Sequence, residues 1–196
     1  MKRFLLLAAA ISLVAGGCGT QVTGTATTSA PPSARLPSDG APAVPDPITA
    51  TAAVEADPCS AIPTTEIEAI GGKVKGSRLD ELSMGKACAW MFQEGASTMS
   101  GGLVTGNKDG LSSLYAQNAR GGLTTFKPVA PINGYPAVLY ANGGEGEGIC
   151  TLAVGIRDDL VYTFIPLLSM RHPAYSDPCG MATKAAAAAI KNLKKQ

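Results

Sequence analysis

The sequence predicts an α+β domain: a mainly antiparallel sheet with helices packed on it, stapled by two disulfides. Three observations carry this. Short strand-like segments follow one another with links of hairpin length, which favours antiparallel pairing over parallel crossovers. Helix signals bracket them, the last in an alanine-rich segment. Once Cys18 is set aside, four cysteines remain to pair, Cys59, Cys88, Cys150 and Cys179.

The elements follow in order. Asp57-Pro58-Cys59 leads into a short helix, where Thr65 and Glu68 have capping-box spacing and Gly71-Gly72 gives the stop. Residues 87–92 alternate as a strand with Cys88, Trp90 and Phe92 on one face. A second strand is expected near 103–105. Asp109 is placed to cap a helix over 110–120, with Leu111, Leu114 and Tyr115 as its apolar stripe and Gly121-Gly122 as its end. Three strands follow, over 135–140, 149–156 and 160–165. Pro136 argues that the first lies at a sheet edge, and Arg157-Asp158-Asp159 reads as the hairpin turn between the other two. Asp177-Pro178 is an N-cap followed by proline at the first helical position. The helix it opens runs through the alanines at 185–189, with Lys191, Lys194 and Lys195 at the negative end of its dipole.

Upstream of the domain the chain changes character. Lys2 and Arg3 precede an apolar run from Phe4 to Val14, then Ala15-Gly16-Gly17-Cys18. A bilayer-spanning helix needs about 20 residues, so this run fits the apolar region of a cleaved signal over residues 1–17. The box at 15–18 resembles the lipobox of bacterial lipoproteins, with Ala15 where Leu is usual. The expectation is that Cys18 carries a diacylglycerol, often with a further acyl group such as palmitate. Two or more chains hold a protein stably on a membrane, so the partner at this end is the membrane itself, on its extracytoplasmic face. Residues 18–56 are rich in Thr, Ala, Ser and Pro. They read as a disordered tether, reaching roughly 35 Å as a coil and about 120 Å extended. The folded domain is expected over 57–196.

An exported chain with four remaining cysteines argues for two disulfides. Of the three pairings, Cys59–Cys88 with Cys150–Cys179 is favoured because both close loops of the same length. Cys59–Cys179 with Cys88–Cys150 stays open. There is no C-x-x-C pair and His172 is the sole histidine, so no metal site is expected.

A tether, a cysteine opening the domain, Cys88-Ala89-Trp90, the run Gly134-Tyr135-Pro136-Ala137-Val138, Cys150 before a strand and Cys179 opening the last helix occur together. With the lipobox, this set resembles the actinobacterial lipoproteins with a domain of unknown function that include the mycobacterial lipoproteins LprB and LprC. The resemblance covers the whole mature chain. It implies membrane anchoring and an α+β domain, and it carries over no catalytic residue.

The chemistry the sequence offers is sparse. A net charge of +1 gives no electrostatic case for nucleic acid. His172 could serve as a general base beside Ser176 or Asp177, but no Gly-x-Ser-x-Gly elbow occurs. Glu145 and Glu147 lie in a glycine-rich loop with too few oxygens for calcium and no dinucleotide fingerprint. Trp90 beside Cys88 reads as core packing. The repeated Asp-Pro-Cys at 57–59 and 177–179 reads as two helix starts tied down by disulfides. The expectation is a non-catalytic module without a cofactor, binding a small apolar ligand, an envelope polymer or another envelope protein. The alternatives are an envelope hydrolase using His172 and an accessory subunit of a transporter or receptor.

Overall fold

The computed structural model describes residues 35–195. Residues 1–17, Cys18 and the tether as far as residue 34 lie outside the described residues. Seven strands form one antiparallel sheet: β1 (Val74–Leu82), β2 (Gly85–Phe92), β3 (Thr98–Leu103), β4 (Thr125–Ile132), β5 (Tyr135–Ala141), β6 (Leu152–Arg157) and β7 (Leu160–Leu167). Their order across the sheet is β1-β2-β3-β7-β6-β5-β4. Two meanders, β1–β3 and β4–β7, thus meet where β3 pairs with β7. The helices are α1 (Ala52–Ala56), α2 (Thr64–Gly71), α3 (Ser112–Ala119) and α4 (Pro178–Leu193), with a 3-10 turn at Pro58–Ala61.

The α+β expectation holds, and so does the favoured cysteine pairing. Cys59 is bonded to Cys88 and Cys150 to Cys179, each pair 29 residues apart. The first bridge ties the 3-10 turn to β2, and the second ties the start of α4 to the segment just ahead of β6. Asp57 and Asp177 play matching parts: Asp57 accepts from the Cys59 amide at 3.0 Å and Asp177 from the Gly180 amide at 2.9 Å. Each Asp-Pro-Cys is a capped helix start held by its disulfide.

Two strands escaped the sequence reading. β1 is an edge strand, largely exposed, so its charged residues hide the alternation that burial imposes elsewhere. β4 forms the other edge and carries Pro128 and Pro131, which tolerate only such a position. Asn133 (φ 50°) and Gly134 (φ 89°) form the two-residue turn joining β4 to β5, the strongest short hairpin signal a sequence carries. β5 is therefore not an edge. Its Pro136 falls where the β4–β5 register shifts, so its missing N–H breaks no ladder bond.

Two caps differ from expectation. Pro63 precedes α2, which begins at Thr64, leaving Thr65 inside the helix and no side-chain cap. Glu68 turns instead to the Val74 amide (3.2 Å) and Lys73 (3.2 Å). The α3 helix starts at Ser112, whose amide donates to the Asp109 backbone carbonyl rather than to its carboxylate.

The tether expectation needs a correction at its C-terminal part: residues 35–56 are packed on the domain. Val44, Ile48 and Val54 are buried in the core. The Val44 amide donates to Asp158 Oδ1 (2.8 Å), the Ile48 amide to the Ile156 carbonyl (2.9 Å), and the Tyr135 hydroxyl to the Asp46 carbonyl (2.7 Å). This strap passes the β6–β7 turn on its way to α1. Average polarity conceals it because three apolar side chains, widely spaced, are enough to seat it. The prolines between them reduce the entropy lost on ordering.

The two faces of the sheet differ. Strand alternation sends Trp90, Phe92, Met99, Leu152, Val154, Ile156, Tyr162 and Phe164 to one face, where they form the main core with α4, α2 and the strap. Ala182, Ala185, Ala186 and Ala189 are buried there, and their small size lets α4 approach β6 and β7 closely. On this face a Cβ at Gly101 would meet the Phe164 ring at 2.8 Å, so the strand needs glycine to accommodate the aromatic pair. The opposite face has a smaller core of Leu111, Leu114, Val138, Ala153 and Val161 beneath α3.

Candidate functional site

α3 covers only part of its face. Beyond it the sheet offers small residues: Ala87 on β2, Ser100 and Gly102 on β3, Thr163 on β7, with Ile165 at one end. Side chains of this size cannot fill the space above a sheet, and the result is an open cavity of about 310 Å³. That is within the lower range for small-ligand sites, roughly 300–1,000 Å³.

Local sequence explains the walls. On one side stand Ser113, Leu114 and Gln117 of α3. The segment leading into that helix is held by an Asn107 turn: the side-chain carbonyl accepts from the Asp109 amide (2.9 Å) and its amide donates to Ser113 Oγ (2.6 Å). Gly110, at φ 54°, passes so close to the Asp158 carbonyl that a Cβ would collide with it. Tyr115 meets Phe126 edge-on at 4.8 Å and pins the far side of α3. On the other side is the β1–β2 hairpin tip. Gly85, at φ 140°, lets the tip fold against the Leu103 carbonyl, and the Gly106 amide donates to the Met84 carbonyl at 2.9 Å. Leu82 and Met84 thereby stand at the mouth, 60% and 46% exposed.

The floor is uncharged, and Lys86 is the one ionic side chain lining the cavity among the described residues. Thr163 brings a buried hydroxyl to this floor. Tyr140 stands beside it; burial raises the phenol's pKa, and a side-chain hydrogen bond with Thr163 works against that rise.

The residues singled out from sequence lie elsewhere. His172 is buried in the loop between β7 and α4. Its ring meets Phe92 edge-on at 5.1 Å, Nδ1 accepts from the Ala174 amide (3.1 Å), and Nε2 has no partner. Neither Ser176 nor Asp177 bonds to it; Asp177 is occupied as the α4 cap. Trp90 is 1% exposed in the main core and does not line the cavity. Glu145 accepts from Thr125 Oγ1 (3.0 Å), and the Thr124 and Thr125 hydroxyls together with backbone N–H groups hold its carboxyl below the usual range. Among the described residues no three His, Cys, Asp or Glu side chains cluster to hold a metal, and no helix is long and apolar enough to cross a membrane.

Sequence reading missed the groove because nothing in it is chemically reactive. A signal was present: small side chains recur on one face of two adjacent strands, at Ala87 and Ala89 and at Ser100 and Gly102. It becomes legible only when the β2–β3 register pairs Ala89 with Ser100.

Fold and cavity define a class, a disulfide-stapled antiparallel-sheet domain with an apolar groove on one face and no assembled catalytic group among the described residues. Over residues 13–192 the chain matches the family model described as protein of unknown function, DUF3558, and it belongs to that family. No curated protein and no solved structure matches it.

Proposed function

We propose that this chain is an extracytoplasmic lipoprotein of the kind that includes LprB and LprC, held on the cell membrane by lipid at Cys18, and that its domain is a non-catalytic module binding a small apolar ligand. The observation that carries the binding reading is the groove: an uncharged floor of small side chains between α3 and the β1–β2 tip, with exposed Leu82 and Met84 at its mouth. Exposed apolar side chains around a concave site mark binding surfaces. The anchoring reading rests on the cations, short apolar run and small residues that precede Cys18. The strap fits both. Its Ser38 amide donates to Ser112 Oγ of α3 (2.9 Å), so the strap is tied to the helix that also walls the groove.

The binding test is a fluorescence titration with N-phenyl-1-naphthylamine, an uncharged apolar probe, using the chain from residue 18 onward with Cys18→Ala. Saturable binding that is lost in Ser100→Phe is expected, because the phenyl ring would occupy the floor. Absence of saturable binding in the parent chain would rule the groove out as an apolar site. The anchoring test is metabolic labelling with a palmitate analogue, with incorporation expected in the natural chain and none in Cys18→Ala.

A further inference from the structure

We propose that the tip of the β1–β2 hairpin is a membrane-contact element, with Leu82 and Met84 entering the apolar layer of the bilayer and turning the mouth of the groove toward it. This rests on the anchoring reading above and goes beyond it, because it gives the anchored domain an orientation.

Composition of the tip is the first argument. Ser83 and Met84 form the turn, where short hairpins ordinarily take Gly, Asn, Asp or another polar residue. Here a leucine and a methionine stand exposed instead, and so does Leu79 further back on β1. Three of the six large apolar side chains exposed among the described residues thus lie on this one hairpin. The tip is held in place, by the Gly106 amide on the Met84 carbonyl (2.9 Å) and by the close approach of Gly85 to the Leu103 carbonyl. Exposed apolar side chains concentrated on a fixed element mark a surface that meets an apolar partner.

Position is the second argument, and it selects the partner. The segment that Gly106 opens runs to Ser112, whose hydroxyl accepts from the Ser38 amide. Midway along it Gly110 lies against the Asp158 carbonyl in the β6–β7 turn, and Asp158 Oδ1 takes the Val44 amide (2.8 Å). The hairpin tip, the β6–β7 turn and the first residues of the strap therefore share one end of the sheet. The chain comes to that end from Cys18, and between Cys18 and Arg35 it can span at most about 60 Å. A lipid anchor at Cys18 keeps the tip within reach of the bilayer, so that contact becomes an intramolecular step at high effective concentration. Charge is not the attraction: Glu55 and Glu81 stand with Lys86 around Leu82, so the contact rests on apolar insertion and needs no anionic lipid. Leu82 and Met84 also line the groove. A seated tip therefore opens the groove onto the layer in which an apolar ligand dissolves.

The test couples the chain from residue 18 onward, through the Cys18 thiol, to maleimide-bearing phosphatidylethanolamine in phosphatidylcholine vesicles. Cys59, Cys88, Cys150 and Cys179 are bonded in pairs, which leaves the Cys18 thiol to react. This coupling replaces the biological anchor, so the outcome does not depend on acylation of Cys18, which the labelling test above decides separately. Tryptophan fluorescence is compared with and without brominated phosphatidylcholine, which quenches indoles that enter the acyl layer. Three forms are read: the parent, whose sole tryptophan, Trp90, is buried in the main core; Met84→Trp; and Met170→Trp, at an 81% exposed position past the far end of β7. Quenching is expected in Met84→Trp and in neither of the others. Adding Leu82→Ser to Met84→Trp should weaken the contact about five-fold, the loss for one large side chain that is partly buried on insertion. No quenching in Met84→Trp, equal quenching in Met84→Trp and Met170→Trp, or quenching untouched by Leu82→Ser overturns the proposal and leaves the anchoring reading standing. Should Met84→Trp alter the circular dichroism, Ser83→Trp in the same turn gives the same decision.

Discussion

One strand shows how differently the two faces of this sheet are used. On β7, Tyr162 and Phe164 stack at 4.7 Å beneath α4, while Val161, Thr163 and Ile165 point the other way. The first set is locked in the main core. The second set is half covered by α3 and half left to the groove. Large side chains, two disulfides and a capped helix serve stability on one side. On the other, small side chains forgo burial and leave room for a ligand. A fold of this size can spare one face only if the opposite one is well packed.

The sharpest way to break the comparison is to truncate adjacent residues of β7. Phe164→Ala should cost about 3–5 kcal/mol, as for other buried aromatics cut back to alanine. Thr163→Val, one position away, removes one hydroxyl at nearly constant volume and should change stability by about 1 kcal/mol or less. Urea unfolding of both variants gives the numbers. Comparable losses at the two positions would mean that the groove face contributes to the core as much as the helix face does.

The helix face was the more legible in sequence, and the reason is physical. Burial imposes a period of two on Cys88, Trp90 and Phe92, and the Asp177-Pro178 start of α4 is local chemistry that needs no tertiary context. Edge strands β1 and β4 lack that imposed period, so charge at Arg78 and Asp80, and proline at Pro128 and Pro131, concealed them. The strap was hidden because Val44, Ile48 and Val54 are too far apart to form a pattern. The groove was hidden for a different reason. It is defined by side-chain volume that is absent, and absence at Ala87 gains meaning only when Gly102 is placed next to it.

A second comparison sets the two disulfides against each other. Removing either pair, Cys59→Ala with Cys88→Ala or Cys150→Ala with Cys179→Ala, should lower stability by about 2–5 kcal/mol. Equal separation of 29 residues predicts similar costs in a chain-entropy picture, and thermal melts of the two double variants check it. A large inequality would show that one bridge acts chiefly on local packing.

Filling the groove should have a smaller effect on stability and a large one on binding. Ser100→Phe should change unfolding free energy by less than about 1 kcal/mol, since the ring enters open space rather than a packed core, while apolar probe binding disappears.

The mildest perturbation is acid. Lys194 holds the Asp46 carboxyl below its usual 3.8 through a 2.8 Å hydrogen bond and its charge. A carboxylate with a depressed folded pKa favours the folded arrangement above its unfolded value, and that contribution fades as pH falls through the lower folded one. The strap should therefore loosen only below about pH 4. Hydrogen exchange at the Ile48 amide, which donates to Ile156, should quicken there ahead of the Phe164 amide in the core.

The most direct measurement of where this molecule binds is backbone chemical-shift mapping by NMR during titration with N-phenyl-1-naphthylamine. The predicted result is a saturable set of shifts at Ala87, Ser100, Gly102, Thr163 and Ile165, spreading to Leu114 and Gln117 of α3, with α4 unmoved. Shifts confined to α4, to the strap or to the His172 loop would contradict the assignment of binding to the open face of the sheet.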